Sequence, residues 1–463
     1  MSRSLATPHE ALNSIVGAAL ERADSADIIT RCLGLEGTGE SASLSVTTEN
    51  ESLSLELGEF DRLLVIGIGK AAARMARSLE AVLGERITDG IVVTKYGHRE
   101  ELSRLVLLEA GHPVPDEAGV GAARRLEALL ADVNEQTLVI SLVSGGGSAL
   151  LVSPYHDEQR ALSLGDLQEV TRLLLSCGAT IQETNCLRKH LSAVKGGRLA
   201  RLMAPATSLN LILSDVVGDD LGSIASGITA PDATTYAEAL EIARRHGILD
   251  SLPAAARALI EAGDRGEIPE TPGPEDPAFD RVYNVIVGSN TQALQAAAEA
   301  ARAEGFYTVV LTSRLVGEAR EVAKLFPALA RDVRDSGMLA APPVCVLAGG
   351  ETTVTIRDPE GRGGRNQELC LSALRELASG TAEPDDGVVF ASVATDGNDG
   401  PTDAAGGYID ADIVRRAAAD PGALERALAG NDSYTYLDSL GALVRTGPTN
   451  TNVCDIQVLL VSP

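Results

Sequence analysis

Short runs of valine, isoleucine and leucine recur along this 463-residue chain and predict its strands. Continuous apolar runs of this kind are typical of strands that are buried on both faces, as in parallel sheets. Several of the runs end in glycine-rich loops. The predicted strands lie at 63–67, 90–94, 137–147, 209–220, 283–290, 307–313, 344–350 and 388–397.

Stretches with helical spacing of alanine and leucine separate many of these runs, for example at 70–85, 118–133 and 289–305. Strand, glycine turn, helix and strand in succession is the βαβ pattern, so the predicted fold class is α/β. We expect a largely parallel sheet flanked by helices in each of two domains, with the N-terminal domain Rossmann-like.

The chain is longer than one hydrophobic core usually serves, which predicts two domains. The segment 263–280 holds four prolines and few apolar residues, and we interpret it as a linker or a long surface loop. It divides the chain into predicted domains 1–275 and 276–463. A second polar stretch, 36–59, has a short alternating pattern and is interpreted as an irregular insertion.

Charge and composition exclude several classes of partner. The net charge of −26 and an aromatic content of 3% argue against nucleic acid and anionic membranes. No apolar run is long enough to cross a membrane, and the first 20 residues lack the pattern of a secretion signal. Six scattered cysteines without CxxC spacing are typical of reduced core residues. We therefore expect a cytoplasmic protein that acts on small molecules, with a homodimer left open.

Two glycine loops follow strands in the first half of the chain. In the loop 65–76, Gly67 and Gly69 precede Lys70 and a helix, an arrangement that suits phosphate binding. It also matches the dinucleotide fingerprint, but Lys95 ends the next strand where that fingerprint wants an acid. The loop 141–151 offers an anion nest with two added hydroxyl donors. Its candidate binding residues are Ser144, Gly145, Gly146, Gly147 and Ser148.

Charged residues follow in the same half. The segment 185–200 is the densest basic cluster of an acidic chain, and Arg188 and Lys195 are its candidate binding residues. A solvated helix face is the alternative. Asp215 directly follows a strand, where a carboxylate can hold Mg²⁺ or accept a proton from a substrate hydroxyl.

The second half carries three further loops. In 349–369, Glu351 closes a strand, and Arg365 and Asn366 open a helix, where an arginine can reach a phosphoryl group. The loop 393–407 is rich in acids and glycine and contains Asp396. The last loop, before the final strand, contributes Thr449 and Asn452 as candidate binding residues.

Phosphate nests, acids, one lysine and one arginine are the components of phosphoryl transfer, although neither a common P-loop nor a GxSxG elbow is present. Their order resembles the glycerate 2-kinase family whose C-terminal part is called MOFRL. The matching stretches span residues 67–453. They are GIGKAA, GHPVPDEAG, SGGGSALL, CLRKHLSAVKGGRLA, LSDVVGDDLGSIASG, GGETTV, GRGGRNQE, TDGNDGPTDAAG and GPTNTNV.

The resemblance implies ATP-dependent phosphorylation of D-glycerate, at its 2-hydroxyl, with Mg²⁺ and an active site between two α/β domains. It places the essential lysine at Lys70 and the essential arginine at Arg365, with Asp215 and Asp396 as the acids and metal ligands. The alternatives are an NAD(P)H-dependent hydroxypyruvate reductase, a name often given to this family, and a non-enzymatic phosphosugar sensor. We also expect the two domains to close during turnover.

Overall fold

The computed structural model describes residues 7–379 and 385–463, so the first six residues of the N-terminal stretch lie outside it. The chain forms two compact units. We call Ser25–Val287 the N-terminal unit, and Gly288–Pro463 together with the residues up to Asp24 the C-terminal unit. The division at 287/288 therefore lies 12 residues beyond the predicted one at 275.

The first helix, α1 (Pro8–Arg22), belongs to the C-terminal unit although it begins the chain. A capping box formed by Thr7 and Glu10 starts it, and its apolar face is fully buried. The Thr451 hydroxyl donates a hydrogen bond to the carbonyl of Ala23, just after the helix. Amphipathic spacing predicts that α1 is buried but does not say against which unit it packs.

The N-terminal unit contains nine helices and nine strands. Its helices are α2 (Ser25–Cys32), α3 (Ala72–Leu83), α4 (Glu117–Leu130), α5 (Gly147–Leu150), α6 (Leu164–Ser176), α7 (Ile181–His190), α8 (Arg198–Met203), α9 (Tyr236–Arg245) and α10 (Ala254–Asp264). Its strands are β1 (Leu33–Glu36), β2 (Ser43–Thr47), β3 (Ser52–Glu56), β4 (Arg62–Ile68), β5 (Asp89–Lys95), β6 (Val106–Ala110), β7 (Thr137–Val143), β8 (Thr207–Leu213) and β9 (Val282–Gly288), whose last residue begins the C-terminal unit.

The main sheet of this unit has the strand order β6-β5-β4-β7-β8-β9. With β4 counted as the first strand, this is the 3-2-1-4-5-6 order of the Rossmann fold. The pairs from β6 to β8 are parallel. The order reverses between β4 and β7, which is where ligands bind in such sheets, outside the carboxyl ends of the strands. The loops that follow β4 and β7 are the two predicted glycine loops.

The polar stretch 36–59 is regular, in contrast to the predicted irregular insertion. The strands β1, β2 and β3 form a three-stranded antiparallel sheet. Leu44 and Val46 of β2 point inward and are buried, whereas β3 has no buried residue. Serine and threonine fill the outward positions, so the apolar residues are too few to produce a clear strand signal.

The proline-rich segment 263–280 is a loop of the N-terminal unit and does not connect the two units. Thr271 and Pro272 within it are buried. The Thr271 hydroxyl donates to Asp232, and the Asp232 N–H donates to the carbonyl of Pro272. Proline and charge predicted the absence of regular structure here, but they do not distinguish a packed loop from a linker.

The C-terminal unit contains the remaining elements. Its helices are α1, α11 (Asn290–Ala303), α12 (Ala319–Val322), α13 (Leu325–Ser336), α14 (Arg365–Ala378), α15 (Ala411–Ala418), α16 (Pro421–Ala429) and α17 (Ser433–Ser439). Its strands are β10 (Tyr307–Leu315), β11 (Val344–Gly350), β12 (Val388–Ala394), β13 (Gly406–Ile409), β14 (Leu443–Val444) and β15 (Asp455–Val461).

The sheet of the C-terminal unit has the order β10-β11-β15-β12-β13-β14 and is mixed. Among its described strands, only β10 and β11 pair in parallel, and β15 runs antiparallel to both of its neighbours. The α/β class is confirmed, but the expectation of a largely parallel second sheet is wrong. Every residue of β11, β12 and β15 is buried. Apolar runs report that both faces are covered, and they carry no information on strand direction.

Among the described residues, no helix is long and apolar enough to cross a membrane.

Candidate active site

The two glycine loops of the N-terminal unit are bonded to each other at the switch point. The Lys70 N–H donates to the carbonyl of Gly145 (2.9 Å), and the Ala71 N–H donates to the Ser144 hydroxyl (3.0 Å). The Ser144 N–H in turn donates to the carbonyl of Ile68 (2.9 Å). Ser144 is therefore a buried connection between the loops, and its role in binding stays a prediction.

The first loop cannot offer the bare backbone donors that its sequence predicts. The N–H of Gly69 donates to the carbonyl of Val93, and that of Ala72 donates to Gly69. Gly67 lies inside β4, and a Cβ there would approach Val92 within 2.7 Å, so its role is packing. What this loop presents to a ligand is the half-buried side chain of Lys70.

The second loop keeps its donors. In the part of the chain that the structure describes, the N–H groups of Gly145, Gly146 and Gly147 have no hydrogen-bond acceptor. Gly146 has a φ of +85°, which favours glycine. Successive N–H groups in such a turn form a concavity that binds anions. The neighbouring Ser148 hydroxyl is hydrogen-bonded to Ser226 (2.7 Å).

A cavity of about 210 Å³ opens beside this nest, entirely within the N-terminal unit. Its polar lining consists of His112, Gly146, Ser148, Thr171, Arg188, Ser192 and Lys195. Apolar walls come from Val152, Leu167, Val170 and Leu191, among others. Among the described residues that line it there are two cations and one imidazole, but no carboxylate. The cavity is thus suited to a small anion.

The basic segment 185–200 divides into structural and cavity residues. Lys189 forms a buried ion pair with Asp232 (3.0 Å), and Arg198 donates to the carbonyls of Lys189 and Ser192. These two residues are structural. Arg188 and Lys195 are the ones that line the cavity.

The two cavity cations have no carboxylate to offset their charge. The buried Lys195 ammonium donates to the carbonyls of Ser148 (2.8 Å) and Leu151 (3.1 Å). Burial, assisted by the nearby charge of Arg188, lowers the pKa of Lys195 to about 7. Burial also lowers the pKa of Arg188, whose guanidinium has no ion-pair partner among the described residues. An anion in the cavity would compensate both groups.

Further positive charge surrounds Lys70. Burial, followed by the charges of Lys70 and Lys95, lowers the pKa of His112 to about 4. Burial and the same two lysines also lower the pKa of His98. Lys95 ends β5, where a dinucleotide-binding protein would place an acid for the ribose. This local cluster of cations favours phosphate, and a lysine in place of the acid does not fit the ribose hydroxyls of NADH.

Asp215 follows β8 and lies against the nest. A Cβ on Gly145 would come within 2.0 Å of its Oδ2 atom, so only glycine fits there. The loop that Asp215 opens is strained: Asp219, Ala225 and Ser226 all have positive φ. Such strain often marks functional segments because the surrounding structure must hold it in place.

The predicted residues of the C-terminal unit gather at one edge of its sheet. Gly350 at the end of β11 and Ala394 at the end of β12 both pair with Asp455, the first residue of β15. The Arg365 guanidinium donates to both oxygens of Asp455 (2.6 and 2.9 Å) and to Glu351 (2.6 Å). Burial alone would lower the pKa of Arg365, but the two carboxylates raise it above its usual value.

Asn366 supports this edge through its hydrogen bonds. Its backbone and side-chain N–H groups donate to Asp399, and its Oδ1 accepts from Ser392 (2.5 Å). The side chain is buried, and its expected role in binding stays a prediction. Asp399 also accepts from the Gln367 N–H and thereby caps α14. Burial raises the pKa of Asp399 to about 6.

The remaining expected residues lie at the same edge. Asp396 follows β12, and its Oδ1 accepts from the Asn398 N–H. The Thr449 hydroxyl donates to the carbonyl of Thr395 (2.6 Å), and Asn452 accepts from the Cys454 N–H. Asp455 was not among the expected residues, and its only signal in the sequence is an acid that opens a mostly apolar strand. His112, a lone histidine in a glycine–proline turn, was not among the expected residues either.

Few of the described metal-ligating side chains lie together at the expected metal site. Within the described residues, no three His, Cys, Asp or Glu side chains are grouped so that they could hold a metal ion. Mg²⁺ rarely needs such a group, because one or two carboxylates suffice when phosphate oxygens and waters complete its shell. Asp215, with its carboxylate against an anion nest, fits a magnesium–phosphate complex in this sense.

Comparison with known proteins identifies the family. Residues 11–261 match the model of a domain of unknown function, DUF4147, and residues 344–455 match the MOFRL family. A glycerate 2-kinase from Pyrococcus horikoshii is 40% identical over 421 residues, 90% of this chain and 92% of that protein. An Agrobacterium vitis protein with the provisional name hydroxypyruvate reductase is 43% identical over 404 residues, 86% of this chain and 87% of that protein.

Among solved structures, the crystal structure of glycerate kinase from Thermotoga maritima superimposes with a TM-score of 0.83. It is 36% identical, and the match covers 98% of this chain and 99% of that one. The chain therefore belongs to the MOFRL-domain glycerate kinase family.

Proposed function

We propose that this protein transfers the γ-phosphoryl group of ATP to D-glycerate and forms 2-phosphoglycerate. The observation that carries the proposal is the cavity beside the glycine nest, which presents Arg188 and Lys195 without a carboxylate. Its volume of about 210 Å³ is below the range of pockets for drug-sized ligands, so it suits a three-carbon acid. Relatives named glycerate 2-kinase support the same reaction.

Arg188 is proposed to bind the carboxylate of glycerate through a charge-assisted pair. Lys195 lies fixed by two carbonyls and adds positive charge from the cavity wall. The polar lining from Ser148 and Ser192 then orients the hydroxyl groups. Two buried basic groups without a counter-ion are costly to keep charged in the empty protein, which is the reason for a strong preference for an anion.

The nest Gly145–Gly147 is proposed to hold phosphate oxygens through its backbone N–H groups, and Lys70 to neutralise charge on the transferred phosphoryl group. When bound, Mg²⁺ would offset the charge of the ATP phosphates, and Asp215 is the residue proposed to hold it; Asp396 is a weaker candidate. In the C-terminal unit we propose Arg365 as a cation that stabilises the transition state. Glu351, Thr449 and Asn452 remain proposed nucleotide contacts.

The test is product identification. Purified protein is incubated with ATP, Mg²⁺ and D-glycerate; ADP release is measured, and the product is examined by phosphorus NMR and by coupling through enolase alone. Enolase consumes only the 2-phosphate, so coupled turnover without a mutase identifies 2-phosphoglycerate. Formation of 3-phosphoglycerate would refute the proposed position of phosphorylation. NADH oxidation with hydroxypyruvate and no ADP release would refute the kinase assignment.

A further inference from the structure

His112 lines the cavity, and the roles proposed above do not include it. A Cβ added to Gly146 would lie 2.9 Å from its Cδ2 atom and 3.2 Å from its Nε2 atom. The same Cβ would lie 3.2 Å from the Cγ atom of Lys70. The Nε2 edge of the imidazole therefore lies over the middle glycine of the nest, next to the stem of Lys70.

A hydroxyl that becomes a phosphate ester must lose its proton, so a kinase cavity needs a group that can accept it. Arg188 cannot act as that acceptor, because a guanidinium stays protonated. Lys195 donates to two backbone carbonyls, and a bound carboxylate would favour its charged form, which cannot accept a proton. Among the described residues that line the cavity, this leaves His112 as the side chain with a nitrogen that can accept the proton.

The surroundings keep the imidazole unprotonated in the empty protein, and the same low pKa makes it a weak base until anions bind. The charged and titratable groups around it are Lys70 after β4, Lys95 and His98 at the end of β5, and Arg188 and Lys195 across the cavity. Burial and the nearby lysines hold its pKa at about 4, so the ring is neutral at pH 7. A neutral ring can accept a proton, and bound anions would raise its basicity when both substrates are present.

We propose that His112 is the general base of the reaction. Its Nε2 atom accepts the proton of the glycerate 2-hydroxyl while the hydroxyl oxygen forms a bond to the γ-phosphorus of ATP. The bond between that phosphorus and the bridging oxygen breaks, and its electron pair leaves with ADP. The imidazolium then releases its proton to water. This inference rests on the proposed function and assigns to His112 the proton transfer that Asp215 was expected to perform.

The first test compares His112→Gln with His156→Gln. His156 is an exposed histidine of the same unit, and its Nδ1 atom lies 3.0 Å from the carbonyl of Pro154, outside the cavity. We expect His112→Gln to lower kcat roughly 10²-fold or more with little change in KM for glycerate, because a general base contributes about that much. His156→Gln should keep the wild-type rate. A wild-type kcat in His112→Gln would overturn the assignment.

The second test needs no variant and so does not depend on whether His112→Gln folds. The acid limb of the kcat profile is measured on the wild-type enzyme at several temperatures. An imidazole loses its proton with a large enthalpy, so its pKa falls on warming, whereas a carboxyl pKa hardly changes. A limb that moves with temperature supports His112, and a fixed limb supports Asp215 and overturns the proposal.

The two hypotheses fail in different ways. If the wild-type protein forms no phosphoglycerate, the proposed function fails and the base has no reaction to serve. If the wild-type protein turns over while the acid limb stays fixed and His112→Gln keeps its kcat, the kinase assignment survives and only the role of His112 is lost.

Discussion

Arg188 in the N-terminal unit and Arg365 in the C-terminal unit are both half-buried, but their charges are balanced in opposite ways. Arg365 donates to Asp455 and Glu351 at 2.6–2.9 Å. Arg188 has no ion-pair partner among the described residues and shares its cavity with a second cation, Lys195. A charge without a partner is stabilised only when an anion arrives, so it favours binding. A charge held by two carboxylates is oriented before any ligand is present.

The largest effect is expected when the oriented charge is removed. Arg365→Ala should lower kcat by about 10²-fold or more, as with other arginine clamps, and raise KM less. It also leaves the fully buried Asp455 without its cation, which costs about 3–5 kcal/mol of unfolding free energy. Steady-state kinetics and urea unfolding measure the two losses.

The matched control for Arg365 is Arg320→Ala in the same unit. Arg320 donates twice to the buried Glu368, at 3.0 and 2.5 Å, so its removal also leaves a buried carboxylate unpaired. A similar loss of stability with nearly normal kcat in the folded protein would isolate the catalytic part of the Arg365 effect. If both variants lost kcat equally, the role of Arg365 would be structural.

Removal of the unpaired charge should act in the opposite direction on stability. Arg188→Met should raise KM for glycerate roughly 10- to 100-fold, because a hydrogen bond to a charged group is worth about 1.5–3 kcal/mol. The unfolding free energy should stay the same or increase, since the repulsion of Lys195 is relieved. Kinetics and urea unfolding without ligand check both statements. The exposed Arg172→Met serves as the control, and an Arg188 variant that is destabilised would show a structural partner.

These same residues show which features of the fold and the site can be predicted from the sequence. The glycine loops, the parallel order up to β8 and the strand-end position of Asp215 follow from local rules about buried strands and tight turns. The direction of β15 does not, because antiparallel and parallel strands covered on both faces share one apolar pattern. The sequence also does not predict that Asp455 is an ion-pair partner of Arg365, because the two lie 90 residues apart and no local spacing connects them. The sequence likewise does not predict that Arg188 lines the cavity while Lys189 forms a buried ion pair. Adjacent positions on a helix face different surroundings, which the basic run itself does not show.

The nest itself can be tested with one methyl group. Gly146→Ala places a Cβ in a left-handed turn (φ +85°), where strain costs about 1–2 kcal/mol, and pushes it against His112 and Lys70. Gly178→Ala is the control, because Gly178 has a similar φ of +75° and open space around it. Both variants should lose similar stability in urea unfolding. Only Gly146→Ala should lose phosphorylation rate, roughly 10-fold, and equal rates in the two variants would argue against the nest.

A further effect concerns the proton on Lys195. Its pKa is lowered from 10.5 to about 7, so between these values the folded protein binds fewer protons than the unfolded chain. The contribution of this group to stability is therefore present above pH 10.5 and is lost as pH falls through 7. Relative to Lys195→Met, the wild-type unfolding free energy should rise with pH across this window.

Glycerate binding should reverse the shift, because a bound carboxylate favours the charged ammonium. At pH 8 the empty protein holds Lys195 mostly neutral, so binding should take up as much as about one proton. Calorimetry in buffers of different ionisation enthalpy measures that uptake. The wild-type protein should show it, and Lys195→Met should show none while still binding glycerate through Arg188. Equal uptake in the two proteins would place the titrating group elsewhere, and the cavity would then bind its anion through Arg188 and the nest alone.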